Sequence, residues 1–506
     1  MRSKAAKIIA LSISAVLLVF LVVVIGGTKY DELLHNGSFT AHVDPTPFVD
    51  SYHVIGIKNV HILNPEADSF SVMNIVLKDG IIDSIAPIDQ FLPSVDYIDG
   101  KNKYLIPGLI DTHVHLLDSK NDLLLYLANG VTSVCEMFGK PRHLDWKKEQ
   151  ESGAISPYLY VASSKVMSVK GFFPAIEKYY GFGYQLATPE AARRGVRKFK
   201  ADGYDAIKLA QNVDLEVYEA IADEAKKQNL PVIGHLPYKV GFNNLFKNGQ
   251  SHLAHIEEVT KNMARDFGLN RSNNDAYLNY VRENADSIAV ELRRHNISVS
   301  STHWLIEKLP ELKFHLNDYL RSIELRYANP GIVEGSSLQE GWLSTEDSRH
   351  YSQMVNDAEA LHQAKNQWRT TVEANRIVVA ALSRNNVMVV TGTDANVNGA
   401  IPGFSLHDEL QALNNNGYTP TETLRAATIE AANFIKRKTG TIKTGLPAEL
   451  ILLSKNPLDD IKNTRSIEYV FFGKNHLNKV QIQRLLSETS SNNDNHRKHE
   501  LYEAIN

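Results

Sequence analysis

A single cysteine, Cys135, stands among 506 residues. No disulfide can therefore form within the chain, and no thiolate zinc knuckle can be assembled. Any metal must be held by nitrogen and oxygen. Nor is there a surplus of positive charge. Lys and Arg number 54 against 58 Asp and Glu, for a formal net charge of -4, which excludes a general nucleic-acid binder needing cations to replace counterions along a phosphate backbone. Apolar residues make up 43% and charged residues 22%, close to the soluble globular average, so wholesale disorder is excluded too. What the chain does have is length: one large domain with a smaller companion is expected.

One apolar run departs from this soluble character. Residues 8–27 are all apolar or small, and about 20 such residues suffice to cross a hydrocarbon core as a helix. Arg2, Lys4 and Lys7 precede the run, and positive flanks stay cytoplasmic, which puts everything after Thr28 on the far side. In a bacterium that means an inner-membrane anchor with a periplasmic domain. The alternative is a secreted protein whose signal is cut near Ile25-Gly26-Gly27. The run exceeds the ~7–15 residues of an ordinary signal core, which favours the uncleaved anchor.

Residues 1–28 are thus read as anchor or signal, and 29–50, polar and carrying Pro45 and Pro47, as a linker. Short β-branched runs at 52–57, 72–77 and 81–85, with Asp79-Gly80 between the last two, read as strands joined by tight turns. Residues 450–453 and 467–472 read likewise. Neither group is large enough to fold alone, so 51–106 and 440–477 are expected to pair into one small β-sandwich. Between them, short strands at 130–135, 158–162, 206–209, 231–234 and 387–390 alternate with amphipathic helices such as 189–201 and 215–228. Such alternation implies a parallel sheet, and its repeat number favours a closed (β/α)8 TIM barrel, spanning 107–439, rather than an open sheet. Helical insertions are expected within 257–296 and 305–348, around a strand at 297–301. The polar tail, 478–506, is expected to fray from about Ser487.

His113 and His115 follow the strand-like residues 104–110, and positions two apart in a strand share a side. A lone His-x-His pair says little. Here, however, His235 ends the run 231–234, His255 ends 251–254, and Asp394 follows 387–390, each at the strand end where TIM-barrel active sites are built. Individually these residues have plain readings, a histidine capping a backbone group or an aspartate opening a turn. Lys208, between Ile207 and Leu209, faces inward, where lysine is seldom buried without a partner. It is either a snorkelling lysine at the barrel mouth or one carboxylated by carbon dioxide into an anionic ligand able to bridge two metals.

These segments resemble the amidohydrolase superfamily over about residues 52–477, in its imidazolonepropionase-like and Xaa-Pro-dipeptidase-like branch. The stretch from Leu105-Ile106-Pro107-Gly108 to His113-Val114-His115 is similar to the family's first strand, and Ala206-Ile207-Lys208-Leu209 to its bridging-lysine strand. Gly234-His235 and the segment 249–255 resemble the fifth and sixth strands. Thr391-Gly392-Thr393-Asp394-Ala395, Pro402-Gly403 and residues 406–410 resemble the eighth strand and the helix after it. Residues 440–450 and Asn456-Pro457-Leu458 resemble the returning sandwich strands, with Glu449 where relatives usually have aspartate.

The resemblance implies that His113, His115 and Asp394 hold one divalent metal, that His235 and His255 hold another, and that carboxylated Lys208 bridges them. Two cations sharing a water lower its pKa toward neutrality and polarise the scissile carbonyl. Asp394 then takes the proton and delivers it to the leaving amine. Zinc suits such ligands best. The expected reaction is hydrolysis of a C–N bond in a small molecule, an N-acyl amino acid, dipeptide or related apolar amide. Two departures bear on specificity: Gly171-Phe172-Phe173 stands where dipeptidase relatives often have Gly-Gly-His, and Leu236-Pro237-Tyr238 follows His235. Phe172, Phe173 and Tyr238 are therefore candidate substrate contacts, and with Tyr179, Tyr180, Phe182 and Tyr184 the long aromatic connection is a candidate apolar lid. Competing readings are a mononuclear deaminase of a heterocycle, against which Lys208 counts, and a membrane-tethered binding protein without activity. Homo-oligomer formation is left open.

Overall fold

A computed structural model describes residues 2–64, 68–90, 95–169, 183–268, 274–335, 341–343 and 357–498. Both ends of the core meet in one nine-stranded sheet. Val54–Asn64 pairs antiparallel with Ser69–Lys78, which pairs with Ile81–Pro87 across the Asp79-Gly80 turn. That turn needs its glycine: φ is 49° at Asp79 and 82° at Gly80, the left-handed pair that suits a tight hairpin. Tyr104–Pro107 then lies between the two halves, parallel to Val54–Asn64 and antiparallel to Leu450–Leu453. Ile467–Phe472, Asn475–Asn478 and Asp50–Ser51 extend the sheet from there.

Period-two alternation divides the burial. Leu450 and Leu452 join Ile57, Ile75, Leu105 and Phe471 in the sheet's own core, whereas Ile451 and Leu453 point the other way into the large central core beside Ile106 and Leu109. One strand thereby fastens the sheet to the rest of the molecule.

The central part alternates strands and helices. Eight of its strands are β1 (Leu109–Val114), β2 (Val131–Glu136), β3 (Tyr158–Val161), β4 (Ile207–Leu209), β5 (Val232–Gly234), β6 (His252–Leu253), β7 (Ser298–Ser300) and β8 (Val389–Val390). Two short ones, Val166–Met167 and Tyr184–Gln185, lie between β3 and β4 in the chain, the first parallel to both β4 and the second. Parallel ladders join β1 to β2, β2 to β3, β4 to β5, β6 to β7 and β7 to β8. Backbone bonds carry the other junctions. Ser163 N donates to Ala206 O at 2.9 Å between β3 and β4, and Ala254 N to Gly234 O at 2.9 Å between β5 and β6. Thr112 N donates to Thr391 O at 2.8 Å, and Asp394 N to His113 O at 2.8 Å, joining the end of β8 to β1. Every residue of β1 and β2 is buried, as parallel strands covered on both faces require.

The helices between them form for local reasons. In Pro189–Asp202, Thr188 caps the start by accepting from Ala191 N, Gly203 ends it at φ 97°, and Ala192, Val196 and Phe199 make the buried stripe. Within 257–296 and 305–348 the described residues include the helices Glu257–Asp266, Asn274–Arg294 and Leu316–Arg321, and Asn274–Arg294 packs along the later helix Ala358–Arg384.

Two expectations fail. Residues 29–50 are no loose linker: the N-terminal helix runs Arg2–His35, Glu32 and Asn36 are buried, and Asn121 Nδ2 donates to Ala41 O at 2.8 Å. Their anchors are side chains far along the chain, which composition cannot reveal. The tail does not fray from Ser487 either, because a helix spans Lys479–Asp494. Its buried stripe starts with Ile482 and Leu485 and continues through polar Thr489 and Asn493, and Asn493 Nδ2 donates to Tyr327 O at 3.0 Å. A stripe half made of hydrogen-bonding residues reads as polar in sequence.

Candidate metal centre at the strand ends

His113 lies in β1, and His115 directly follows it. Lys208 is the middle residue of β4, 1% exposed. His235, His255 and Asp394 follow β5, β6 and β8. All six expected residues therefore occupy strands or their C-terminal ends.

The chain reaches this arrangement with some difficulty at Asp394, whose φ is 57°. Left-handed backbone at a non-glycine residue costs energy, and such positions gather at functional sites. Gly392, two residues earlier, permits the approach. A Cβ there would lie 2.2 Å from Ser300 Oγ and 2.6 Å from His113 Cβ, so no other residue fits. The buried Asp111 carboxylate then locks the two strand ends together. It accepts from His113 N at 3.2 Å, Thr393 N at 3.1 Å and Thr393 Oγ1 at 2.6 Å. Burial pushes its carboxyl up to about 7.

One ligand atom each from His113, His255 and Asp394 all lie within 4.8 Å of one another. His115 Nε2 is 2.9 Å from Asp394 Oδ1, and His113 Nε2 is 3.2 Å from the same oxygen. The His235 and His255 rings are 5.2 Å apart, and those of His113 and His255 4.5 Å. His255 thus joins the two expected ligand sets. Lys208 Nζ is 2.9 Å from His113 Nε2.

Three imidazoles are oriented from behind. Nδ1 of His113 meets Ala254 O at 3.0 Å, Nδ1 of His235 meets Glu258 Oε1 at 2.9 Å, and Nδ1 of His255 meets Thr302 Oγ1 at 2.9 Å. A carbonyl or carboxylate on Nδ1 assigns the proton there and leaves the Nε2 lone pair for a metal, the usual support of a ligating histidine. Burial and then the nearby Lys208 hold His113 well below its ordinary range, and burial does the same to His255, so both are neutral, as ligands must be. Burial alone would raise Asp394, but His113, His115 and His255 hold it well below the usual carboxylate range. Burial also lowers the Lys208 amine to about 7.

The buried Asp394 Oδ1, although 2.9 Å from His115 Nε2, makes no well-aligned hydrogen bond once the imidazole protons sit on Nδ1. A buried acceptor without a donor is costly, and a cation would satisfy it. The neutral Nε2 atoms, the anionic oxygen and the absence of thiolates suit a borderline or hard divalent ion. The residues present fit such a group.

Sequence reasoning missed Glu258, Thr302 and Asp111. Glu258 also accepts from Leu236 N at 3.0 Å and Gln211 Nε2 at 3.1 Å, and Gln211 Oε1 accepts from Tyr238 Oη at 3.1 Å. The half-exposed Tyr238 is thus linked to His235 through two side chains. A glutamate three positions after His255 was the one available signal. Phe172, Phe173, Tyr179, Tyr180 and Phe182 lie outside the described residues. Tyr184 packs edge-on against Phe199, centroids 4.9 Å apart. Glu449 meets Arg437 through both oxygens and accepts from Thr439 Oγ1 at 2.8 Å.

Imidazoles, a carboxylate and a buried lysine are gathered at the ends of parallel strands of a mixed α/β scaffold. The chain belongs to the amidohydrolase family, whose pattern it matches over residues 104–477. Membership supports hydrolysis at carbon–nitrogen bonds. Curated relatives match only in part. A dihydroorotase of Trichlorobacter lovleyi is 29% identical over 126 residues, 23% of this chain and 28% of that protein. An adenine deaminase of Lactobacillus delbrueckii subsp. bulgaricus is 36% identical over 63 residues, 12% of this chain and 11% of that one. The chain therefore spans between about a tenth and little more than a quarter of the length of these relatives. Solved structures align more completely. Bottromycin amidohydrolase superposes with a TM-score of 0.67 at 19% identity, covering 91% of this chain and 96% of its own. A prolidase-like protein from Bifidobacterium longum gives 0.58 at 20%, covering 87% and 100%. At such identities the likeness concerns the fold.

Proposed function

We propose that the protein is a binuclear metal-dependent amidohydrolase that cleaves the amide bond of an N-acyl amino acid, dipeptide or related apolar amide. The observation carrying this reading is the convergence of one ligand atom each from His113, His255 and Asp394 within 4.8 Å, with the Oδ1 of a partly buried Asp394 turned to neutral imidazole nitrogens. In this reading β1 to β8 close into a (β/α)8 barrel, supported by the bonds from β8 to β1, and the nine-stranded sheet folds over its apolar face as a sandwich. The helix Arg2–His35 includes the one stretch among the described residues long and apolar enough to cross a membrane, and it would hold the domain on the periplasmic side.

His113, His115 and Asp394 would hold one ion, most suitably zinc, and His235 and His255 the second. Bound there, divalent ions supply polarisation of the carbonyl and acidification of water. Lys208 is suited to carboxylation, since an amine lowered to about 7 keeps a free lone pair at neutral pH. That pair bonds to carbon dioxide, the nitrogen sheds a proton, and the resulting carbamate is anionic. Asp394 moves the proton, accepting it from water and passing it to the leaving nitrogen. Tyr238, with Phe172 and Phe173, would contact the substrate. Protein prepared with bicarbonate and zinc should hold about two metals per chain. It should also hydrolyse members of a panel of N-acyl amino acids and dipeptides. Turnover only of lactones, phosphotriesters or heterocyclic amines would refute the amide assignment, and metal-free protein from zinc-rich medium would refute the centre.

A further inference from the structure

The N-terminal helix is seated on the same rim as the candidate centre. Asp118, three residues beyond His115, donates its N–H to Asn36 O at 2.9 Å and accepts from Ser38 Oγ at 2.5 Å. Lys140, on the connection after β2, lies 3.8 Å from Glu32 Oε1. Asn329, between β7 and β8, donates to Gly37 O at 3.3 Å and accepts from Thr40 Oγ1 at 3.0 Å. Three connections leaving the C-terminal ends of their strands thus grip the end of the helix. Three residues of extended chain cover about 10 Å at most, so the grip lies within that reach of a candidate ligand.

The other end of the helix is apolar and uncovered. Large side chains from Leu11 to Val24 are exposed, and no part of the apolar window is buried. Beyond Gly27 stand Tyr30 and Phe39, 57% and 48% exposed, with ring centroids 5.2 Å apart. Aromatic rings at the end of an apolar span mark the membrane–water boundary. From Gly27 to the gripped Glu32 the helix rises about 8 Å, roughly the thickness of one headgroup layer. Bilayer surface, grip and strand ends therefore follow one another with no spacer between them.

We propose that the catalytic rim lies against the bilayer surface and that the substrate is a membrane-borne amphiphilic amide, an N-acyl compound whose chain stays in the adjoining leaflet while its carbonyl reaches the strand ends. The substrate class rests on the amide-hydrolase reading above; the orientation does not. Hydrolysis breaks the C–N bond. Water's oxygen ends in the fatty carboxylate and both its protons on the released amine, giving a carboxylate and an ammonium.

The test uses the full chain, loaded with zinc, in phosphatidylcholine vesicles carrying a headgroup-level quencher. Cys135 is buried, so a fluorophore can be placed selectively at Val169→Cys, past β3 on the rim, or at Lys226→Cys, at the opposite end of the barrel. Quenching of the rim probe and not of the base probe is expected, and equal or reversed quenching overturns the orientation. In the same vesicles, N-acyl amides of increasing chain length should be cleaved with rates rising up to about fourfold per added methylene, as partitioning does. Rim quenching with cleavage of short, soluble amides only overturns the substrate class. Failure to cleave any amide, short or long, refutes the amide reading itself.

Discussion

Replacing Glu258 by glutamine keeps the shape of the side chain and removes its charge. Three donors face the carboxylate: His235 Nδ1 at 2.9 Å, Leu236 N at 3.0 Å and Gln211 Nε2 at 3.1 Å. Glutamine offers one acceptor oxygen. If that oxygen keeps His235 and Gln211, the amide nitrogen is turned on the Leu236 N–H, two donors facing each other at a site only 1% exposed. An unsatisfied buried donor costs ~1–3 kcal/mol. The remaining bonds lose their charge assistance, which made them roughly twice as strong as neutral ones. With its Nδ1 partner weakened, His235 becomes a poorer ligand, and substitutions behind a ligating histidine typically cost about 10–100-fold in metal affinity. Glu258→Gln should therefore lower the zinc affinity of one site by that factor, leave the other site near its parent value, and lower stability by ~1–3 kcal/mol. Titration against a chelating indicator measures the two affinities, and urea unfolding of the metal-free protein measures the stability. A variant that binds both ions as tightly as its parent would refute the assignment of Glu258 as the group that orients His235.

Three further outcomes are expected. Asp394→Asn should depress turnover far more than substrate affinity, because a proton shuttle acts in the transition state; steady-state kinetics showing a change confined to KM would exclude that role. Lys208→Ala should reduce bound metal below about two per chain, read by elemental analysis, and full occupancy with full activity would remove the carboxylated lysine. Burial alone would raise Glu307, but His303 and Arg376, whose Nε donates to it at 2.7 Å, lower it to about 2. A carboxyl lowered on folding contributes stability that is present above its unfolded value near 4.5 and is lost as pH falls toward 2, so Glu307→Gln should flatten the acid limb of the pH–stability curve. Parallel curves for parent and variant would contradict this.

The strands were legible where their residue pattern was unambiguous. The runs at 450–453 and 467–472 coincide with Leu450–Leu453 and Ile467–Phe472, because short apolar runs bounded by turn formers, the second also rich in β-branched and aromatic residues, leave little alternative. The six candidate site residues were legible because five of them stand at or near the end of an apolar run, and Lys208 stands out as a lysine between two apolar residues inside one. Their supports were not. Glu258 reaches His235 from the helix after the next strand, Thr302 reaches His255 across 47 residues, and Asp111 binds Thr393 across 282. Such pairings exist only in three dimensions. The segment 29–50 was misread for the same reason, its polar residues being partners of Asp118, Asn121 and Asn329 and not a solvated tether.

The strand Tyr104–Pro107 has its antiparallel neighbour in Leu450–Leu453, with the whole catalytic domain lying between them in the chain. Contacts of such high sequence separation form late, since the closing loop must be ordered before they reward it. During synthesis, the first half of the sheet emerges early and must wait with an unpaired edge, a hazard for association with other chains. Pairing with the last strands then fastens a domain that has already formed. A chain interrupted before Leu450 would keep every candidate metal ligand and yet retain that open edge, so loss of the final strands should appear first as aggregation during biogenesis.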